Sequence, residues 1–131
     1  AEIIQNCTMD YESLQDADSA LGTGAMVVIS EGTCMVELLK RISRFYYAES
    51  CGQCTPCREG TGWLYRILER ITNGQGKESD LALLVDVAGR IEGNTICAFG
   101  DASAWPVQSF IKHYHHEFEY MIQNKGKTLA A

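Results

Sequence analysis

The sequence has no apolar run approaching the roughly 20 residues that a helix needs to cross a bilayer, and its longest uncharged stretches carry Gly and Ser. Direct insertion into a membrane is therefore not expected. The start, Ala1 to Asp10, lacks the basic and apolar regions of a secretory signal, and no initiator Met is present, so the chain reads as a portion of a longer one. Positive charge is scarce as well: 11 Lys and Arg stand against 17 Asp and Glu, a net charge of -6. That balance repels phosphate backbones and anionic lipid, and no nucleic-acid partner is expected. There is no internal repeat, no low-complexity tract and no glycine-rich dinucleotide loop. Gly22-x-Gly24 precedes a strand-like segment instead of following one and lacks the third glycine.

What is present suits one globular domain with a short appendage. The chain has 131 residues, 46% of them hydrophobic and 21% charged, enough to bury a core. Its six cysteines would suit disulfides in a small secreted domain, but Cys51, Cys54 and Cys57 crowd together at two-residue intervals. Such spacing belongs to metal ligands rather than to staples that close long loops, and it fits a reducing cytoplasm.

Along the chain, Asp10 to Leu21 suggests a short helix capped by Asp10, and Gly24 to Ser30 a strand entered through Gly22 and Gly24. Residues 1–30 thus read as the end of a β-containing region. From Thr33 onward the period is helical. Thr33 is expected to cap a helix ending near Ser50 that turns Met35, Val36, Leu38, Leu39, Ile42, Phe45 and Tyr46 to one face. A second helix, about Arg58 to Asn73, uses Trp63, Leu64, Ile67, Leu68 and Ile71 and stops at Gly74 and Gly76. A third, about Ser79 to Glu92, repeats Leu81, Leu84, Val87, Ala88 and Ile91. The fourth begins near Ala104 with Pro106 in its first turn and carries Val107, Phe110, Ile111, Tyr114, Phe118, Met121 and Ile122. The expected fold is mainly α: a four-helix bundle over residues 31–124 with the cysteines in loops at one end, then a flexible tail over 125–131.

The ligand pattern is C-x2-C-x2-C followed by a distant Cys97. Three thiolates from one tight loop can wrap three irons of a [4Fe–4S] cubane, and Cys97, between the third and fourth helices, is placed to take the fourth. Gly52 lets the backbone curl towards the group, and Pro56 is expected to keep the loop out of helix before Cys57. Arg58 and the free N–H groups of the second helix bring positive potential, which favours the reduced state. A structural zinc ion on the same four thiolates, in a helical interaction module without redox activity, is the competing reading.

Glu49-Ser-Cys-Gly-Gln-Cys-Thr-Pro-Cys-Arg-Glu-Gly60 resembles the iron–sulfur signature of the NADH-binding flavoprotein subunit of respiratory complex I, the NADH:quinone oxidoreductase. The likeness continues in order through Met9 to Leu14, Leu21 to Ala25, Arg44 to Tyr46, Thr61 to Trp63, Ile91 to Ala98 and Gly100 to Gln108. It implies an oxidoreductase module in which NADH reduces FMN and one [4Fe–4S] cluster on Cys51, Cys54, Cys57 and Cys97 passes single electrons onward. Further iron–sulfur subunits of the peripheral arm would take them, in a complex peripheral to the cell's inner membrane on the cytoplasmic side. Residues 1–30 would be the tail of a ubiquitin-like β-grasp region. The FMN- and NADH-binding part of the family lies outside this sequence, so FMN and NAD are cofactors of the parent subunit only, and that part is itself an expected partner. The fragment alone is not expected to oxidise NADH. Soluble NAD-linked hydrogenases and formate dehydrogenases use similar modules.

Other residues are given structural roles. Cys7 and Cys34 read as small apolar side chains, and His113, His115 and His116 as part of a polar face. Trp63 and Trp105 read as apolar plugs that shield the cluster and anchor helix ends, and Glu117 and Glu119 as surface charge. No residue is assigned acid–base catalysis. The turn at Phe99 and Gly100 is expected to face the flavin domain.

Overall fold

The computed structural model describes residues 6–130, in two compact units that divide between Ser30 and Glu31. In the first, helix α1 spans Tyr11–Asp16. Asp10 caps it as expected, accepting the Ser13 N–H at 2.7 Å. The Thr8 hydroxyl also donates to this carboxylate, and these two bonds, Thr8 first, hold it below the usual carboxylate range. The helix stops well short of Leu21 because Asp18 turns left-handed at φ 57°, a conformation that Asp tolerates.

The expected strand at Gly24 to Ser30 is not formed, and no strand occurs among the described residues. The β-grasp remnant is therefore not seen. An apolar, β-branched run becomes a strand only where a second strand takes up its backbone donors and acceptors. Here Val27 and Val28 stand 74% and 97% exposed in an irregular segment.

The second unit is built from four helices: α2 (Met35–Glu49), α3 (Thr55–Arg70), α4 (Ser79–Ile91) and α5 (Phe99–Gln123), with a wide helical turn, Ile71–Gln75, extending α3. Each helix packs on the next and α5 returns against α2, closing the bundle. Val36 and Leu39, Leu64 and Leu68, Leu84 and Ile91, and Val107 and Phe118 fill its interior, all nearly free of solvent contact. Burying such side chains contributes about 1.5–3 kcal/mol each.

Several boundaries differ from expectation. Thr33 does not cap α2: Cys34 occupies the cap position without a side-chain bond, and Glu117 of α5 accepts the Met35 N–H at 3.1 Å instead. Glu117 is thus not plain surface charge. It brings a carboxylate to the positive end of α2. On α2 itself Phe45 is 57% exposed, while Ser43 is buried without a partner for its hydroxyl. Helix α3 starts before Arg58, with Pro56 inside its first turn, where the missing N–H costs nothing. Pro56 therefore does not keep the loop before Cys57 out of helix, which begins at Thr55. Helix α5 starts at Phe99, so Pro106 lies well inside it, and the backbone departs from helical geometry at Tyr114 (φ −121°, ψ 24°).

Asp80, at the start of α4, is almost fully buried. It accepts Arg70 Nε at 3.1 Å and the Lys77 N–H at 2.9 Å and pairs with Arg70 Nη2, which ties α4 to α3.

Candidate functional site

The site is assembled where α2 ends and α3 begins. Ser50 leaves helical geometry (φ −60°, ψ 125°) while its N–H still closes on Tyr46 O at 3.1 Å, so its side chain departs from a fixed point. Its hydroxyl accepts the Gly52 N–H at 3.3 Å and lies 3.3 Å from Cys57 Sγ. Gly52 adopts φ 77°, the left-handed conformation that lets the chain turn back between Cys51 and Cys54. Arg58 clasps this turn: Nη1 donates to Gly52 O at 2.8 Å and Nε to the Glu59 carboxylate at 3.1 Å. Arg58 is therefore a mechanical clamp as well as a charge.

Helix α3 carries two of the cysteines in its opening. Cys54 is the cap residue, with the Arg58 N–H on its carbonyl at 2.8 Å. Cys57 lies in the first turn at 7% exposure, and its carbonyl accepts the buried Thr61 hydroxyl at 2.7 Å. Cys54 is half-buried and Cys51 exposed.

The connection between α4 and α5 brings Cys97. Glu92 ends α4, and its carboxylate accepts Trp105 Nε1–H at 2.7 Å and the Gln108 side-chain amide at 2.8 Å. Asp101 accepts the Gly93 N–H at 2.7 Å, and the Thr95 hydroxyl donates to Cys97 O at 2.9 Å. Gly100 fits under Thr95 so closely that a Cβ there would lie 2.6 Å from its Cγ2. Held in this way, the connection directs the Ile96 N–H at Cys54 Sγ over 3.4 Å, a contact between residues 42 apart in sequence. The edge of one ring on the other, Tyr46 and Phe99 at 5.1 Å, joins the end of α2 to the start of α5.

Thus Cys54 touches the segment that carries Cys97, Cys57 is tied to the end of α2, and Cys51 and Cys97 are exposed. Among the described residues, no three His, Cys, Asp or Glu side chains gather closely enough to hold a single metal ion.

The structure adds residues that the sequence left without a role. Ser50 stands directly before the cysteine run, so its position was a signal. Glu92 and Asp101 look like any surface carboxylate until the fold pairs them with Trp105, Gln108 and Gly93. Elsewhere, Cys34 packs against the core and Cys7 Sγ meets Ser13. His113, His115 and His116 are exposed, His115 lying 3.5 Å from Glu119. Trp63 and Trp105 are about half exposed and so are not buried plugs, although Trp105 does anchor the end of α4 through Glu92.

Residues 37–121 match the family model of the NADH-ubiquinone oxidoreductase-F iron-sulfur binding region. The chain belongs to this family. Among its relatives, the NADH-quinone oxidoreductase F subunit of Rickettsia bellii (strain OSU 85-389) is 49% identical over 121 residues, 92% of this chain and 29% of the relative. An NADH-quinone oxidoreductase F subunit of Rhizobium meliloti (strain 1021) is 47% identical over 128 residues, 98% of this chain and 30% of the relative. The chain thus spans about three-tenths of the length of these curated relatives. A similar solved structure is an NAD+-reducing [NiFe]-hydrogenase in the air-oxidized state, with TM-score 0.70 and 31% identity over 73% of this chain and 17% of the hydrogenase chain.

As a member of the iron-sulfur binding region family, the chain offers a donor set that fits such a group. Thiolates are the ligands of iron–sulfur clusters; the Ile96 N–H already donates to Cys54 Sγ, and the Ser50 hydroxyl lies beside Cys57 Sγ. No helix among the described residues is long and apolar enough to cross a membrane.

Proposed function

We propose that Cys51, Cys54, Cys57 and Cys97 hold one [4Fe–4S] cluster and that the chain is an electron-transfer module of an NADH:quinone oxidoreductase flavoprotein subunit. The electron source is FMN of the parent subunit, reduced by NADH, and iron–sulfur subunits of the peripheral arm are the acceptors. The assembly lies against the cytoplasmic side of the membrane without inserting through this chain.

When bound, such a cluster supplies one-electron chemistry and needs no acid or base from the protein. The chain's own residues hold, bias and shield. Cys54 and Cys57 sit at the start of α3, where the helix dipole turns its positive end towards a negatively charged group. Arg58 fixes the turn between the ligands through Gly52 O and adds positive charge on that side. Burial of Cys57 keeps water from one flank, while Cys51 and Cys97 leave the other open to an electron partner.

The observation that carries this reading is the bond from Ile96 N–H to Cys54 Sγ, which brings the remote ligand segment onto the C-x2-C-x2-C turn. Three of the thiols come from one tight loop and the fourth from a distance, whereas zinc sites more often use two separated C-x2-C pairs, and this spacing favours the cluster over zinc.

Anaerobic reconstitution with iron and sulfide is the test. Equimolar iron and acid-labile sulfide with visible charge-transfer absorbance are expected, and Cys97→Ala should lose most of both. A colourless protein that takes up zinc and no sulfide would refute the reading.

A further inference from the structure

The Ser50 hydroxyl has two hydrogen-bonding neighbours. Its oxygen accepts the Gly52 N–H at 3.3 Å, and Cys57 Sγ lies 3.3 Å away on a contact in which either atom could donate. Once Cys57 is a metal-bound thiolate, its sulfur has no proton left to give. The direction is then settled: the hydroxyl donates and the sulfur accepts.

We infer that Ser50 is a tuning residue, donating O–H to the Cys57 thiolate and raising the reduction potential of the cluster held there. The inference rests on the cluster reading above. A donor at a ligand sulfur stabilises the more negative, reduced state more than the oxidised one. The effect is greatest where water does not compete, and Cys57 is buried at 7% exposure whereas Cys51 and Cys97 are exposed. The geometry is prepared in advance. Ser50 is held by its N–H on Tyr46 O at 3.1 Å, and Cys57 is fixed in the first turn of α3. The bond therefore requires no ordering when an electron arrives.

The test is a redox titration of the anaerobically reconstituted chain, followed by electron paramagnetic resonance, with iron and sulfide measured on each sample. Ser50→Ala should keep the cluster but be reduced about tenfold less readily at a given potential, a midpoint about 59 mV lower for one electron. Ser50→Thr and Ser50→Val form an isosteric pair that differs in the hydroxyl. Thr should stay near the wild-type midpoint, and Val should fall with Ala. An intact cluster with an unchanged midpoint in Ala and Val would overturn the inference and leave the cluster reading standing. Loss of the cluster from Ala and Val with retention in Thr would also overturn it, making Ser50 an assembly requirement instead. A wild-type chain that binds neither iron nor sulfide would overturn both.

Discussion

Replacing Glu92 by alanine removes the carboxylate that receives the Trp105 indole N–H at 2.7 Å and the Gln108 amide at 2.8 Å, and with it the tie between the end of α4 and the first half of α5. A hydrogen bond to a charged acceptor contributes about 1.5–3 kcal/mol when dry. Trp105 is 46% exposed, so water replaces part of what is lost. A net destabilisation of about 1–2 kcal/mol follows for the two bonds together after that discount. At roughly 4 °C per kcal/mol for a domain of this size, the melting temperature should fall by about 4–8 °C. The cost falls on the connection that carries Cys97, whose other restraints include Gly93 N–H on Asp101, the Thr95 hydroxyl on Cys97 O and Ile96 N–H on Cys54 Sγ. Iron and sulfide retained after reconstitution should therefore drop further than the melting temperature alone suggests. Glu92→Gln, which keeps the shape and one good acceptor, should fall between wild type and Ala. Thermal melts and iron analysis of the three proteins decide the matter. Wild-type values for both in Glu92→Ala would refute the claim that this carboxylate holds the loop.

Gly100→Ala places a Cβ against the Thr95 side chain and should cost about 1–3 kcal/mol in a urea titration, as overpacking does, with much of it recovered in Gly100→Ala/Thr95→Gly. Asp80→Asn keeps the volume but turns an amide towards Arg70 and the Lys77 N–H. Because the Arg70 side chain is 37% exposed, a loss of about 1–2 kcal/mol is expected, and an unchanged urea midpoint would contradict it. The Arg90 bond to Asp86 holds that carboxyl below its usual range, so Arg90→Gln should move the Asp86 titration upward in a carboxyl-detected NMR experiment. A carboxyl depressed by folding contributes stability at pH above its ordinary pKa and loses it as pH falls through the lowered one, so the variant should show a weaker acid dependence there.

Helix α4 was fully legible: Leu81, Leu84, Val87, Ala88 and Ile91 recur at helical spacing and all are buried. The other helices were misread mainly where they start, and in part on their faces, where Phe45 and Trp63 are exposed. Ends are set by partners, and partners are remote. Met35 N–H is capped by Glu117, 82 residues away, which no local pattern reveals. Pro56 and Pro106 illustrate the same limit. Pro56 sits in a first turn, where it costs nothing, and Pro106 inside a long helix, where tertiary packing overrides a preference of a few kcal/mol. The strand failed for the opposite reason. Its residues suit a sheet, but a sheet is a relation between segments, and the described chain supplies no second one. At the site, the cysteine spacing was plain in sequence. Glu92 and Asp101, which restrain the Cys97 connection, have no spacing of their own and became visible only through the fold.

The two halves of the proposed cluster site are held by different means, and this should separate two properties that are often confounded. On the α3 side, Cys57 is buried and faces the Ser50 hydroxyl, while Arg58 and the helix start supply positive potential. Loss of the Ser50 hydroxyl alters the balance of charge at sulfur and should move the reduction potential with little loss of iron. On the Cys97 side the stabilising groups are carboxylates, Glu92 and Asp101, and both are occupied by donors from α5 and the loop backbone. Changes there loosen the chain around an exposed ligand and should lower cluster retention with little shift in the potential of what remains. Glu92→Ala and Ser50→Ala measured side by side test the division. A midpoint raised by Glu92→Ala as far as Ser50→Ala lowers it would mean that charge near the cluster acts at long range, and that the geometry of individual donors matters less than the surrounding field.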